Sequence, residues 1–302
     1  MATSLPSVAE LKGAARAAWP EQRLDRFRVH NGGWANLVLE ADAGVIFRFP
    51  RRRAVAESLN FELRALDLLS RHLSAPIPAP VRVSVLRRPR GWPFMAYPKL
   101  LGKPLSTVWP LDSVGNRRLS RFIETLLREL SAVPSSALLR IGAQPGGRPS
   151  WAKRFRRLQQ RFHRSGASQV PWELRRRLAA GFDSFYSDLR RARYHAVATH
   201  RDLGPDHILW SAESNRPTGV IDWEDVCLGD PAFDLTGLGA LGHKRLAPSI
   251  CARKARGDST FDERLRFYRK VAPIHGLIHA AETRDPHWHN IFLPQLAAEF
   301  PG

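Results

Sequence analysis

The chain passes from a mostly strand-like to a mostly helical hydrophobic pattern near residue 100, and that change limits the folds open to it. Before it, Arg26-Phe27-Arg28-Val29, Leu37-Val38-Leu39 and Gly44-Val45-Ile46-Phe47-Arg48-Phe49 are strand-like runs, broken by Asn31-Gly32-Gly33 and Asp42-Ala43-Gly44. A short amphipathic helix over 7–19 precedes them, and Pro50 closes the third strand. A helix then runs from Ala54 to His72, with Leu59, Leu63, Leu66 and Leu69 spaced by three and four, until Pro76, Pro78 and Pro80 stop it. Strands at 81–86 and 93–97, joined by a turn at Arg90-Gly91, complete the β-rich section.

Beyond Lys99-Leu100-Leu101-Gly102 the pattern is mostly helical. Leu119, Phe122, Ile123, Leu126, Leu127 and Leu130 form one apolar stripe, and two basic helices follow at about 151–164 and 172–194. Short strands at 196–198, 208–210 and 219–221 interrupt this region, and from Ala232 it is helical again with polar breaks near 255–260 and 284–287. The expectation is an α+β fold with a small β-rich N-terminal lobe (1–97) and a larger α-helical C-terminal lobe (98–302). That layout suits a ligand held between lobes.

Composition removes several classes. With 302 residues, 43% hydrophobic and 25% charged, wholesale disorder is excluded. No run approaches the ~20 apolar residues of a membrane-spanning helix. The first residues, Met1-Ala2-Thr3-Ser4-Leu5-Pro6, carry neither a basic region nor an apolar run, so no secretory leader is expected. Cys227 and Cys251 are too few for a disulfide scaffold or a thiolate metal site, and a reducing cytoplasm is the expected compartment.

The net charge of +19 is unusual, and it is carried by arginine: 47 basic residues include seven lysines, which leaves forty arginines. Twelve bases against three acids put +9 on residues 151–195 alone. Such a surface attracts anions, although solvated helix faces account for it as well.

The densest chemistry lies in Thr199-His200-Arg201-Asp202-Leu203-Gly204-Pro205-Asp206-His207-Ile208-Leu209, with Asp222 twenty residues after Asp202 in Gly219-Val220-Ile221-Asp222-Trp223. Each acid follows a short apolar strand, which fixes the backbone while the carboxylate projects from the strand end. Two such acids, with a ligand-type residue five positions past the first, describe a divalent-metal and phosphate site. One acid can orient a hydroxyl, while the other and His207 hold Mg²⁺ between phosphate oxygens. The competing reading is two structural acids that cap loops.

These residues resemble the aminoglycoside phosphotransferase family, which has a two-lobed protein-kinase-like fold; the likeness covers roughly 24–240. In the phosphoryl-transfer template, H-R-D is followed five residues later by Asn and then by a second Asp on magnesium. His200-Arg201-Asp202 fits the first element and Asp222 the second. The resemblance implies that Asp202 accepts the hydroxyl proton and aligns the attacking oxygen, and that Asp222 ligates Mg²⁺. His207 stands where kinases have Asn. Histidine here is similar to the aminoglycoside 2''-phosphotransferases and macrolide phosphotransferases, although imidazole is a less natural ligand than an amide oxygen for hard Mg²⁺.

The resemblance further implies a nucleotide grip. Arg48 takes the position of the kinase strand lysine and Glu62 that of the helix acid paired with it. Asn31, Gly32 and Gly33 lie where a loop covers the phosphates, though Asn-Gly-Gly is first a hairpin turn. Phe94 to Lys99, including Ala96 and Tyr97, would meet the base of ATP or GTP. Asp230 and Asp234 brace the catalytic loop.

The implied reaction is Mg²⁺-dependent transfer of a nucleotide γ-phosphate to a hydroxyl of a small molecule. An aminoglycoside comes first, with Glu224, Asp225, Glu282 and Asp285 as acceptor carboxylates, and a macrolide or other hydroxylated molecule second. A rival of another class is an inactive, basic nucleic-acid-binding protein on the same scaffold. The aromatics of 151–195 argue against it, since their helical spacing makes them core rather than base-stacking platforms.

Two motifs are set aside. Gly237-Leu238-Gly239-Ala240-Leu241-Gly242 spells a dinucleotide fingerprint but trails Pro231-Ala232-Phe233-Asp234-Leu235 instead of a strand, so close packing explains it better. His275 and His279 share a helix face without the intervening Glu of a zinc hydrolase, and with His287 and His289 they read as structural or surface groups.

Overall fold

A computed structural model describes residues 6–80, 82–86, 92–241 and 257–301. Val81, the Arg90-Gly91 turn, Gly242 and Cys251 lie outside the described residues. The chain forms two compact units, Met1–Ala143 with Asp206–Val226 and Gln144–Pro205 with Cys227–Gly302.

In the first unit α1 (Val8–Ala18) opens on a capping box between Ser7 and Glu10. Strands β1 (Phe27–His30), β2 (Asn36–Ala41), β3 (Val45–Pro50), β4 (Arg82–Val85) and β5 (Pro93–Pro98) form an antiparallel sheet in the order β1-β2-β3-β5-β4. Alternation along β3 sends Phe47 and Phe49 into a core with Leu11, Leu39 and Phe94. Ile46 packs beside Leu59, Met95 and Tyr97. Arg48 shares the parity of Ile46, so a charge enters that second side.

Helix α2 (Arg53–Ser70) buries Ala56, Leu59, Glu62, Ala65, Leu66 and Leu69. Glu62 is the one charged member of that face, and burial of this kind requires a partner.

The division of the chain differs from a single boundary at 97/98. Strand β6 (Lys103–Pro104) pairs with β8 (Ile208–Ser211), which pairs with β9 (Arg216–Val220). The Val220 amide donates to the Pro76 carbonyl, so this late hairpin joins the first unit. Helices α3 (Ser113–Ala132) and α4 (Ser135–Arg140) belong there too. Arg118 on α3 donates to the carbonyls of Ser214 and Asn215, and Arg64 on α2 to that of Ile141.

The second unit contains α5 (Arg148–Ser165), α6 (Trp172–Arg191), α7 (Phe261–Val271), α8 (Pro273–Thr283) and α9 (Pro286–Glu299). Strand β7 (Val197–Thr199) pairs with β10 (Cys227–Gly229), a three-residue strand that periodicity does not announce. The core is aromatic: Phe185 stacks on Phe267 with ring centroids 4.2 Å apart, and Phe155 on Tyr268 at 5.3 Å. Trp151, Phe155, Phe162, Phe182 and Phe185 are all buried, as their spacing predicts, while Trp172 is exposed. Among the described residues no helix is long and apolar enough to cross a membrane.

Candidate active site

In the first unit, one guanidinium gathers three carboxylates. Arg48 on β3 is 5% exposed. Its Nη1 donates to Glu62 Oε1 at 2.5 Å, and its Nη2 to Asp222 Oδ1 at 3.1 Å and Glu224 Oε2 at 3.0 Å. Asn36, the first residue of β2, donates from Nδ2 to the same Glu224 oxygen at 2.7 Å. Burial works against the charge on Arg48, but the surrounding acids, Glu62 foremost, outweigh it and hold the guanidinium protonated.

Three acids around one base leave negative charge in excess. Burial raises Glu62 above the usual carboxylate range, with Arg48 opposing. Burial, and then repulsion from Asp222, pushes Glu224 up to about 7.

Asp222 follows β9 in a left-handed conformation (φ 68°), which is uncommon for a residue with a Cβ. Its position is tied from both sides: the Ile221 amide donates to the His207 carbonyl at 2.9 Å, and the buried Trp223 indole donates to the Val220 carbonyl at 3.0 Å. While Oδ1 takes Arg48, Oδ2 lies 3.5 Å from His207 Nε2. Two donors on one octahedral Mg²⁺ at 2.0–2.1 Å would stand about 3 Å apart, so this spacing fits a small cation, with the Asp222 carboxylate the natural donor and the His207 imidazole the softer one.

The loop 31–36 is clasped by a residue outside the predicted set. Arg51 donates from Nε to the carbonyls of Gly33 (3.0 Å) and Asn36 (3.3 Å), from Nη2 to the Asn31 carbonyl (2.9 Å), and also to Asn31 Oδ1. A Cβ at Gly33 would stand 3.0 Å from the Asn36 carbonyl oxygen, which explains glycine there. The only sequence signal for Arg51 is its place directly after the strand-ending proline.

Ala96 pairs with Phe47 and Tyr97 with Ile46 in the β3–β5 ladder. Burial pushes the Tyr97 hydroxyl up to about 12. The Lys99 side chain is engaged by Glu40 at 2.6 Å.

In the second unit, Asp202 sits exposed in the loop after β7. The buried Asp234 carboxylate accepts the amides of His200 and Arg201, both at 2.8 Å, and Arg201 takes φ 73°. The Asp202 amide donates to His200 Nδ1 at 3.2 Å, which assigns the proton on that ring to Nε2.

Asp230 accepts from the Ala232 amide, from Tyr268 Oη (2.6 Å) and from Arg264, whose Nε lies 2.6 Å away. Asp230 and Asp234 are therefore braces. Gly237 approaches the same loop so closely that a Cβ would lie 2.5 Å from the Leu203 carbonyl oxygen. It stands in a 3₁₀ segment, Gly237–Leu241, that follows another 3₁₀ turn, so the described part of the glycine motif serves packing.

The four acids expected to face an acceptor are placed differently from one another. Glu224 serves Arg48 and Asn36. Glu282 is held in a two-pronged pair by Arg161, at 2.7 and 2.5 Å. Asp285 caps α9 by accepting the His287 amide, and Asp225 is exposed. His279 contacts the Trp288 ring and His289 Nε2 lies 3.3 Å from the Gln169 carbonyl, as structural groups would.

A strand arginine paired with a helix acid and with the acid after a late β-hairpin defines a kinase-like phosphotransfer scaffold. The chain belongs to the phosphotransferase enzyme family (APH), whose model matches residues 26–294. Over 92 residues it is 30% identical to viomycin phosphotransferase of Streptomyces vinaceus, a match that spans 30% of this chain and 32% of that protein. The structure of the GDP and kanamycin complex of APH(2")-IIia aligns over 96% of this chain and 97% of its own, with a TM-score of 0.82 and 23% identity. The macrolide 2'-phosphotransferase MphH of Brachybacterium faecium aligns over 95% and 97%, with a TM-score of 0.67 and 26% identity. The α+β, kinase-like fold expected from the sequence is the fold found.

Proposed function

We propose that this protein transfers the γ-phosphate of ATP or GTP to a hydroxyl of a small antibiotic-like molecule, with aminoglycosides as the first acceptor class. The observation that carries the reading is the convergence of Glu62, Asp222 and Glu224 on buried Arg48. Arg48 would present its guanidinium to nucleotide phosphate oxygens, for which its fork is suited, with Glu62 holding its orientation. The loop 31–33, set by Arg51, would lie over the phosphates, and the Ala96–Lys99 backbone would bind the base.

Asp222 and His207 would hold Mg²⁺, which when bound neutralises phosphate charge. Asp202 would accept the acceptor hydroxyl's proton and align its oxygen, with its loop fixed by Asp234. Alignment is the larger part of that role in a dissociative transfer.

A macrolide acceptor is the second reading. The Arg161–Glu282 pair favours it, because an acid already neutralised offers less to a polycation.

A mass-shift assay with ATP and with GTP, against panels of aminoglycosides and macrolides, tests the proposal. One added phosphoryl group on an acceptor is expected, and Asp202→Asn should lower the rate about 10²–10⁴-fold. Phosphorylation that persists unchanged in Asp202→Asn would refute the assigned role.

A further inference from the structure

The helical unit holds a second concave site that phosphotransfer does not use. A cavity of about 1080 Å³ is walled by Arg148, Arg190, Arg191, Arg193, His195 and Asp258, among others. Arg148 begins α5, Arg190 and Arg191 end α6, and Arg193 and His195 follow in extended chain. Arg148 Nη1 donates to the carbonyls of Arg190 (2.9 Å) and Ala192 (3.2 Å), and Tyr194 donates from its hydroxyl to the Gly146 carbonyl. The four guanidiniums therefore stand on a stapled corner and not on independent loops.

Their charge is not balanced within the wall. The lining carboxylate, Asp258, is 4% exposed and already bonded through both oxygens to Arg264. Arg191 shares Asp188. Among the described residues the side chains of Arg190 and Arg193 have no hydrogen-bond or ion-pair partner, and both are exposed. Guanidiniums gathered in this way match phosphate oxygens, and the volume exceeds what one phosphate fills.

A nucleic-acid strand fits less well. The buried aromatics of α5 and α6 present no faces for stacking, and exposed Trp172 lies eighteen residues from Arg190, about 27 Å along α6.

We infer that this cavity binds an oligophosphate anion, either a free chain or the phosphates of a nucleotide, independently of the phosphotransfer centre. Calorimetric titration of the full chain with inorganic tripolyphosphate, in magnesium-free, low-salt buffer, tests it. One equivalent should bind, and Arg190→Ala/Arg193→Ala should weaken it roughly 10–100-fold. Arg190→Lys/Arg193→Lys, which keeps the charge but loses the fork, should fall between. Both changes are at exposed side chains, so melting temperature and phosphotransfer rate should stay as in the parent, which separates this inference from the proposed reaction. A second equivalent of ATP, bound more tightly than tripolyphosphate and lost in the same variants while the equivalent at the phosphotransfer centre remains, would assign the nucleotide source; equal binding would assign the chain alone. Absence of tripolyphosphate binding, equal affinity in the alanine variant, or binding of a single-stranded RNA oligomer without tripolyphosphate binding would overturn it.

Discussion

Arg48 in the sheet-bearing unit and Arg264 in the helical unit are both buried guanidiniums tied to carboxylates, yet their partners differ in exposure. The side chains of Asp230 and Asp258 around Arg264 are 0% and 2% exposed. Those of Asp222 and Glu224 around Arg48 are 36% and 24% exposed. Arg264 is also bonded to Thr260 Oγ1 at 2.5 Å and lies over the Tyr194 ring, so its surroundings are closed. Arg48 is closed only toward Glu62. The same chemical device thus serves as a lock in one unit and as an open grip in the other, and water access at the acids makes the difference.

The comparison can be broken most severely at the lock. Arg264→Ala strands two buried carboxylates and should cost about 3–5 kcal/mol of stability, read from urea unfolding. A loss below about 1 kcal/mol would show that Arg264 is no lock.

At the grip, Arg48→Lys keeps the charge but loses the fork that reaches Glu62, Asp222 and Glu224 together. Expected is a rise in nucleotide KM of about tenfold, with a much smaller loss of stability than Arg264→Ala causes. An unchanged KM would remove Arg48 from the nucleotide site.

The smallest effect concerns acid. Burial raises the Asp258 carboxyl, but Arg264 and Thr260 outweigh that and hold it below its ordinary value. A depressed carboxylate contributes stability above its unfolded pKa of about 3.9 and loses it as pH falls through the folded value. The melting-temperature gap between the parent and Asp258→Asn should therefore shrink below about pH 4. A gap that widens on acidification would contradict this account.

Much of the sheet was legible because alternation is local: β1, β2, β3 and β5 follow their apolar runs within a few residues. Arg48, Glu62 and Asp222 were legible through their resemblance to a known order of motifs. The contact between Glu224 and Asn36 was not legible, because 188 residues separate them and no periodic pattern reports such a distance. The Arg161–Glu282 pair was hidden for the same reason, since 121 residues separate its members. Arg264 could not be singled out, because an arginine inside a helix is unremarkable among forty. The two compact units differ from a 97/98 division because a boundary drawn along the chain cannot register a hairpin that returns to an earlier unit.

That return has a consequence for synthesis on the ribosome. Arg48 meets Glu62 after only fourteen further residues, but Asp222 is 174 residues away. At about 5–20 residues per second, the nascent chain carries this half-matched arginine for roughly 8–32 s before the distal acid is even polymerised. The early sheet must therefore hold together on its apolar face and one ion pair, and the acid cluster around Arg48 is completed only late in translation.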